Sequence, residues 1–170
     1  MCVAAANQII RRTNAHNNWR KDHHTEPVYF DRKRLQKVLY LCQLAWMADN
    51  PIDQPLLTDD FEAWEKGPVI PLVYQLFSVY QDGNMEPIDE NGHTPLNDDQ
   101  KKFVNRIVDY TINIETQKII DFTHEENGPW VKVYEENNPK VIPRESIYNY
   151  IQDRKNRAAF VNFLATGEAE

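Results

Sequence analysis

The sequence is poor in cysteine and glycine and contains no long apolar run. Its two cysteines, Cys2 and Cys42, have neither the spacing of a metal site nor the number needed for a disulfide framework. The five glycines form neither a phosphate-binding loop nor a dinucleotide fingerprint. No stretch approaches the roughly 18 apolar residues of a transmembrane helix, and the start lacks the basic segment of a signal peptide. We therefore expect a cytoplasmic protein with free thiols.

Charge is unevenly distributed along the 170 residues, whose formal net charge is −7. Residues 1–37 have a net charge of +5, residues 38–100 of −11, and residues 101–170 of −1. The acidic middle would repel a nucleic-acid backbone and would suit a basic protein partner. It is equally consistent with a solvated surface that keeps the protein soluble.

One basic cluster, Arg32–Arg34 with Lys37, is the candidate for nucleic-acid contact. A helix–turn–helix would also need a second, basic recognition helix, which the pattern does not show. We therefore do not expect nucleic-acid binding.

The spacing of apolar residues predicts a mainly α, single compact domain of about seven helices. A helix over 31–49 is apolar nearly all round and should be buried at the centre. The other helices are predicted over 2–12, 71–80, 97–110, 114–124, 129–136 and 143–164. Between them we expect a polar loop over 13–28, at most one short β-hairpin near 55–66, and a loose tail over 165–170.

No catalytic or metal site is evident from the residue types. None of the five histidines pairs with another at the i, i+4 spacing of two metal ligands. Cys42 lies in the predicted central helix, where burial would leave its thiol unreactive. The run His124-Glu125-Glu126 is the one candidate acid–base cluster. The competing interpretation is a structural histidine at the end of a helix, favoured by the helix dipole. We expect no cofactor and no enzymatic activity.

Three stretches together resemble one known family. They are LQKVLYLCQLAW (35–46), FEAWEKGPVIPLVYQLF (61–77) and FTHEENGPWVKVY (122–134). Their order and spacing are similar to those of the Panacea, or SocA-like, antitoxin domain, which includes phage-associated GepA-like proteins. The middle stretch is the most specific. The chain departs from the pattern at Cys42, where a small residue is usual, and by one extra residue within 125–128.

The resemblance implies a mostly helical cytoplasmic antitoxin that neutralises a cognate toxin by direct contact. Some members instead act as adaptors that deliver the toxin to a protease, and many belong to prophages or other mobile elements. The family domain would cover residues 1–151, followed by a C-terminal helical extension over 152–164. An enzyme that uses His124 with a nearby carboxylate is the remaining alternative.

The residues that carry the resemblance are bulky aromatics and turn-forming residues, which we expect to hold the fold, although exposed aromatics would also serve in binding. They are Glu62, Trp64, Gly67, Pro68, Pro71, Tyr74, His124, Pro129 and Trp130. Phe160 and Phe163 lie off the apolar stripe of the predicted last helix. On a surface helix they would be exposed, so they are candidates for contact with a toxin or with a second copy of the chain.

Overall fold

Helix α2, Arg32–Asp49, lies at the centre of the computed structural model, which describes residues 1–80 and 85–168. All eleven residues from Arg34 to Leu44 are buried. The helix begins after Asp31, whose carboxylate accepts a hydrogen bond from the backbone N–H of Arg34 at 2.9 Å. It ends at Asn50, because the following proline cannot continue it. The predicted buried central helix is confirmed.

The remaining elements of the described residues surround α2. They are α1 (Cys2–Asp22), β1 (Phe61–Trp64), β2 (Gly67–Val69), α3 (Pro71–Leu76), α4 (Asp98–Thr111), α5 (Thr116–Thr123), β3 (Lys140–Ile142), α6 (Arg144–Gln152) and α7 (Arg154–Thr166). Helices α1, α4, α5 and α6 all pack on α2, and so does β2. The mainly α class and the count of about seven helices are confirmed for the part of the chain that is described.

The basic cluster on α2 is divided between surface and core. The side chains of Arg34 and Lys37 are buried, with 3% and 1% of the residue exposed. The guanidinium of Arg34 donates to the carbonyl oxygens of Thr111 and Ile114 at 2.7 and 2.8 Å, and so satisfies the end of α4. Arg34 and Lys37, two of the four basic residues in the candidate nucleic-acid contact, therefore belong to the core.

The predicted polar loop over 13–28 is wrong for residues 13–22, because α1 continues to Asp22. Its polar residues bond to segments outside the helix, so this half of α1 is not marked by an apolar stripe. The side-chain amide of Asn14 donates to the carbonyl oxygen of Met85 at 3.1 Å, and that of Asn17 to Val28 at 3.0 Å. A helix held by such contacts has no periodic hydrophobic signal.

Three short strands form one antiparallel sheet in the order β2-β1-β3. The hairpin predicted near 55–66 lies further along the chain, over 61–69, and consists of β1 and β2 with Trp64 opposite Gly67. Strand β3 pairs with the other edge of β1, with Glu62 opposite Val141. The sequence pattern does not predict β3, because three residues are too few to show an alternation.

The C-terminal third differs from prediction in three places. Residues 129–136 lie in turns and irregular chain, so the helix predicted there is absent. The predicted last helix is two helices, because Asp153 breaks it and caps α7 by accepting from the backbone N–H of Lys155 at 2.9 Å. The tail predicted over 165–170 is helical to Thr166 and capped by Gly167 at a φ of 73°. Residues 169–170 lie outside the described residues.

Phe160 and Phe163 are core residues, which corrects their prediction as partner contacts. They are 2% and 0% exposed. Their rings pack on Phe122 of α5, with centroids 5.7 and 4.4 Å away. The outward face of α7 is formed by other residues.

Candidate functional site

The three stretches that carry the family resemblance meet at one place in the fold. The ring of His124, at the end of α5, lies 3.9 Å from that of Trp130. The indole nitrogen of Trp130 donates to the backbone carbonyl oxygen of Trp64 at 2.9 Å. The ring of Trp64 in turn lies 5.0 Å from that of Tyr74 in α3. We call these four side chains, with Tyr134 stacked 4.3 Å from Trp130, the aromatic cluster.

Gly67 brings the hairpin directly against α2 and α5. Its φ of 97° is one that side chains disfavour. A Cβ atom there would lie 2.7 Å from Oγ1 of Thr123 and 2.9 Å from Cε of Lys37. The hairpin backbone therefore packs on these two side chains at a distance that only glycine permits.

Lys37 is the buried charge beneath the hairpin. Its ammonium nitrogen donates to the carbonyl oxygen of Pro68 at 2.9 Å. Burial lowers the pKa of Lys37 to about 7, opposed in part by the charge of Asp31. The basic residues around Lys37 predict a surface cluster and give no sign of this buried role. A lysine inside an otherwise apolar helix stripe was the signal that could have found it.

Gln36 fixes the step from β2 into α3. Its side-chain oxygen accepts a hydrogen bond from the backbone N–H of Ile70 at 2.8 Å. Pro71 then occupies the first turn of α3, where a missing N–H has no cost. This contact sets the direction in which α3 presents Tyr74.

His124 is positioned by packing, and its predicted acid–base cluster does not assemble. Its Nε2 atom is buried and has no hydrogen-bond partner among the described residues. Burial lowers the pKa of His124, and the charge of Lys37 adds to this effect. The carboxylate of Glu125 accepts a hydrogen bond from the hydroxyl of Tyr150. The carboxylate next to His124 in sequence is thus used elsewhere.

The predicted motif residues divide into an inner and an outer group. Gly67, Pro68, Pro129 and Trp130 are buried. Glu62, Trp64, Pro71, Tyr74 and His124 are half-buried at the surface. The outer group is held by polar contacts as well, since the indole of Trp64 donates to the carboxylate of Glu62 at 2.9 Å. The inner group can support the fold while the outer group remains available for contact.

A groove of about 360 Å³ opens beside the aromatic cluster. Trp64 and Tyr134 line it together with the acidic residues Glu65, Glu135 and Glu136. Glu65 lies 3.1 Å from Lys66, and Glu135 pairs with Lys140, so these two charges are partly balanced within the chain. Aromatic side chains bordered by carboxylates favour a basic segment of a partner.

The described residues offer few features for metal binding, membrane insertion or thiol reactivity. Within residues 1–80 and 85–168, no group of three His, Cys, Asp or Glu is placed to hold a metal ion. None of the described helices is both long enough and apolar enough to span a membrane. Both thiols are buried, which raises the pKa of Cys2 to about 11 and also raises that of Cys42.

The fold and the cluster define a mainly helical protein in which a β-hairpin packs on a central helix above a buried lysine. The family model described as the SocA-like antitoxin, Panacea domain matches residues 35–131, more than half of the chain. The chain therefore belongs to this family. The match extends from α2 to the turn that holds Trp130, and so includes every member of the aromatic cluster except Tyr134. Comparison with curated proteins and comparison with solved structures give no match.

Proposed function

We propose that this protein is an antitoxin that neutralises a cognate toxin by direct binding. The observation that carries the proposal is its membership of the SocA-like antitoxin family over residues 35–131. The assembly of the family motifs into one half-exposed cluster supports it, because such a cluster offers rigid aromatic anchors. In this view the inner motif residues maintain the fold and the outer ones lie at the edge of the contact.

The acidic groove beside the cluster is the surface that we propose for the toxin. Trp64 and Tyr134 would supply apolar contact area, and Glu65 and Glu136 would select a basic segment. The strongly acidic middle of the chain would add long-range attraction for such a partner.

Co-expression tests the proposal. The product of the neighbouring reading frame should arrest growth alone, and growth should recover when this chain is produced with it. The two proteins should then co-purify as a stable complex. Absence of both rescue and co-purification would contradict direct neutralisation.

Charge reversal tests the groove. Glu65→Lys and Glu136→Lys should each weaken the complex, because each places a cation against the proposed basic segment. Glu26→Lys is the matched control, since Glu26 is an exposed glutamate away from the groove. If all three variants rescue growth equally, the toxin binds elsewhere on the protein.

Toxin lifetime separates neutralisation from delivery to a protease. Under direct neutralisation the toxin should persist in the complex, whether or not the host protease is present. A toxin that disappears only when both this chain and the protease are present would favour the adaptor alternative.

A further inference from the structure

The outward face of α7 carries three apolar residues at spacings of three and four. Ala158, Val161 and Ala165 are all exposed, Val161 by 59%. Spacings of three and four residues place them in one stripe along the helix, and exposed Arg154 begins the same stripe. This is the pattern of a helix seam that packs on another helix.

A groove of about 380 Å³ continues the stripe towards α4. Val161, Leu164 and Ala165 form one wall, and Tyr110, which is 52% exposed, lies on the other. Small residues on the stripe allow a second helix to approach closely, and the groove gives room for its larger side chains.

Apart from its N-cap Asp153, the charges of α7 run against its own dipole. Arg154 and Lys155 lie in the first turn, which contains no acidic residue, and the last turn contains no basic residue. Arg157, one position further, already pairs with Asp49. A helix N-terminus carries partial positive charge, so cations there are unfavourable in an isolated helix. Glu168 lies just beyond the other end, where negative charge is likewise disfavoured.

An antiparallel copy of the same helix reverses this disadvantage. Arg154 and Glu168 are both seven residues from Val161 in the sequence. With a twofold axis at Val161, each basic first turn lies beside the negative end of the other α7. Glu168 already pairs with Lys118, and its side chain remains 67% exposed for a second cation.

We propose that the protein forms a symmetric homodimer in which α7 packs antiparallel on α7 of a second copy. Ala158, Val161 and Ala165 form the centre of the interface, and Arg154 pairs with Glu168 of the second copy at each end. Because α7 has 13 residues, roughly 20 Å of helix, the interface is smaller than the standard of about 1,600 Å². The dimer should therefore dissociate reversibly on dilution.

Sedimentation velocity of the purified full chain tests the proposal over about 1 to 100 µM, a range suited to a small interface. The mass should rise from 20.0 kDa towards twice that value with concentration. Val161→Asp should keep the chain monomeric, because it places two carboxylates face to face on the axis. Val79→Asp, at a valine that is 75% exposed in another part of the fold, should dimerise like the wild type.

Reversing the charges of Arg154 and Glu168 tests whether these two residues lie opposite each other in the dimer. Arg154→Glu and Glu168→Arg should each weaken the dimer about tenfold, because each creates like-charge contacts at both ends of the interface. The double variant should recover most of the lost affinity. Circular dichroism should show that all variants remain folded.

Three results would overturn the proposal. They are a wild-type chain that stays at 20.0 kDa at the highest concentration, a dimer that survives Val161→Asp, and a double variant no better than the singles. A chain that remains monomeric would mean that this face of α7 contacts another protein or solvent. A double variant that is no better than the single variants would exclude the antiparallel register.

Discussion

The indole N–H of Trp130 donates a hydrogen bond to the backbone carbonyl oxygen of Trp64 at 2.9 Å, although 66 positions separate the two residues. This bond ties the turn after α5 to the end of β1. It also orders the ring on which His124 and Tyr134 both pack. The most recognisable residues of the family are therefore linked to one another directly.

Replacing Trp130 by phenylalanine should remove this bond and keep most of the ring packing. We expect a loss of about 1 kcal/mol in the free energy of unfolding, because the partly buried carbonyl of Trp64 loses its donor. In a chain of this length that corresponds to a fall of about 2–4 °C in Tm. Urea unfolding measures the change. Trp19→Phe is the control, since Trp19 is 57% exposed, and equal stability of both variants would contradict the role of the bond.

Gly67→Ala and Gly92→Ala form a matched pair. Both glycines have a positive φ, 97° and 80°, but a Cβ at Gly92 meets no atom within 4 Å. Gly92→Ala should therefore cost only backbone strain, about 1 kcal/mol. Gly67→Ala should cost about 1–3 kcal/mol more, because the new methyl group would overlap Oγ1 of Thr123.

Denaturant unfolding of the two glycine variants gives the comparison. Adding Thr123→Ala to Gly67→Ala should recover part of the loss, since it removes the overlapping oxygen. Equal costs at the two glycines would mean that the hairpin can move away from α2.

Sequence patterns predict the elements that are buried along most of their length. They miss the elements that are held in place by a few individual contacts. α2 was predictable because its apolar residues surround the helix axis. The second half of α1 was not, because Asn14 and Asn17 stabilise it through bonds to segments outside the helix. Strand β3 was too short to carry a pattern and exists only because it pairs with β1.

The prediction that Phe160 and Phe163 face outward is wrong for a geometric reason. It continues the stripe through Ile147 and Ile151 across Asp153, as if one helix ran from 143 to 164. Asp153 has a ψ of 129°, so the helix stops there and α7 begins with a new phase and direction. A local break of one residue therefore exchanged the inward and outward faces of α7.

The candidate site was only half predictable. Resemblance identified the residues of the aromatic cluster that lie in the motifs, but not that they meet. Lys37 and Thr123 complete the site through contacts with Gly67, and such contacts depend on how three segments pack. No local sequence pattern encodes how closely Gly67 approaches these two side chains.

Shortening the side chain of Phe163 tests whether it faces the core, as the structure places it. Phe163 is 0% exposed and stacks on Phe122, so Phe163→Ala should cost about 3–5 kcal/mol. Val161→Ala on the same helix should change stability by less than about 0.5 kcal/mol, because Val161 is 59% exposed. Chemical denaturation at low protein concentration, where self-association does not contribute, measures both. If Val161→Ala cost more stability than Phe163→Ala, Phe163 would lie at the surface after all.

Lys37 should make the stability of the protein depend on pH in a specific direction. Burial lowers its pKa to about 7, whereas an unfolded lysine titrates near 10.4. Above pH 7 the unfolded chain therefore binds more protons at this residue than the folded chain. The contribution of Lys37 to the free energy of unfolding should rise with pH, by about 1 kcal/mol per unit just above pH 7.5.

The variant Lys37→Met isolates this contribution, because it keeps a long side chain in the same place without a titratable group. The difference in unfolding free energy between wild type and variant should grow in favour of the wild type from pH 7.5 to 8.5. Comparing two proteins cancels the shared groups whose pKa does not depend on Lys37, including the thiols of Cys2 and Cys42, whose folded pKa values are raised. The pKa of His124 does depend on Lys37, but it is lowered from its usual value, so this side chain is mainly neutral above pH 7.5 in both proteins. A difference that is flat with pH would mean that Lys37 stays charged beneath the hairpin, with water or a rearranged backbone solvating it.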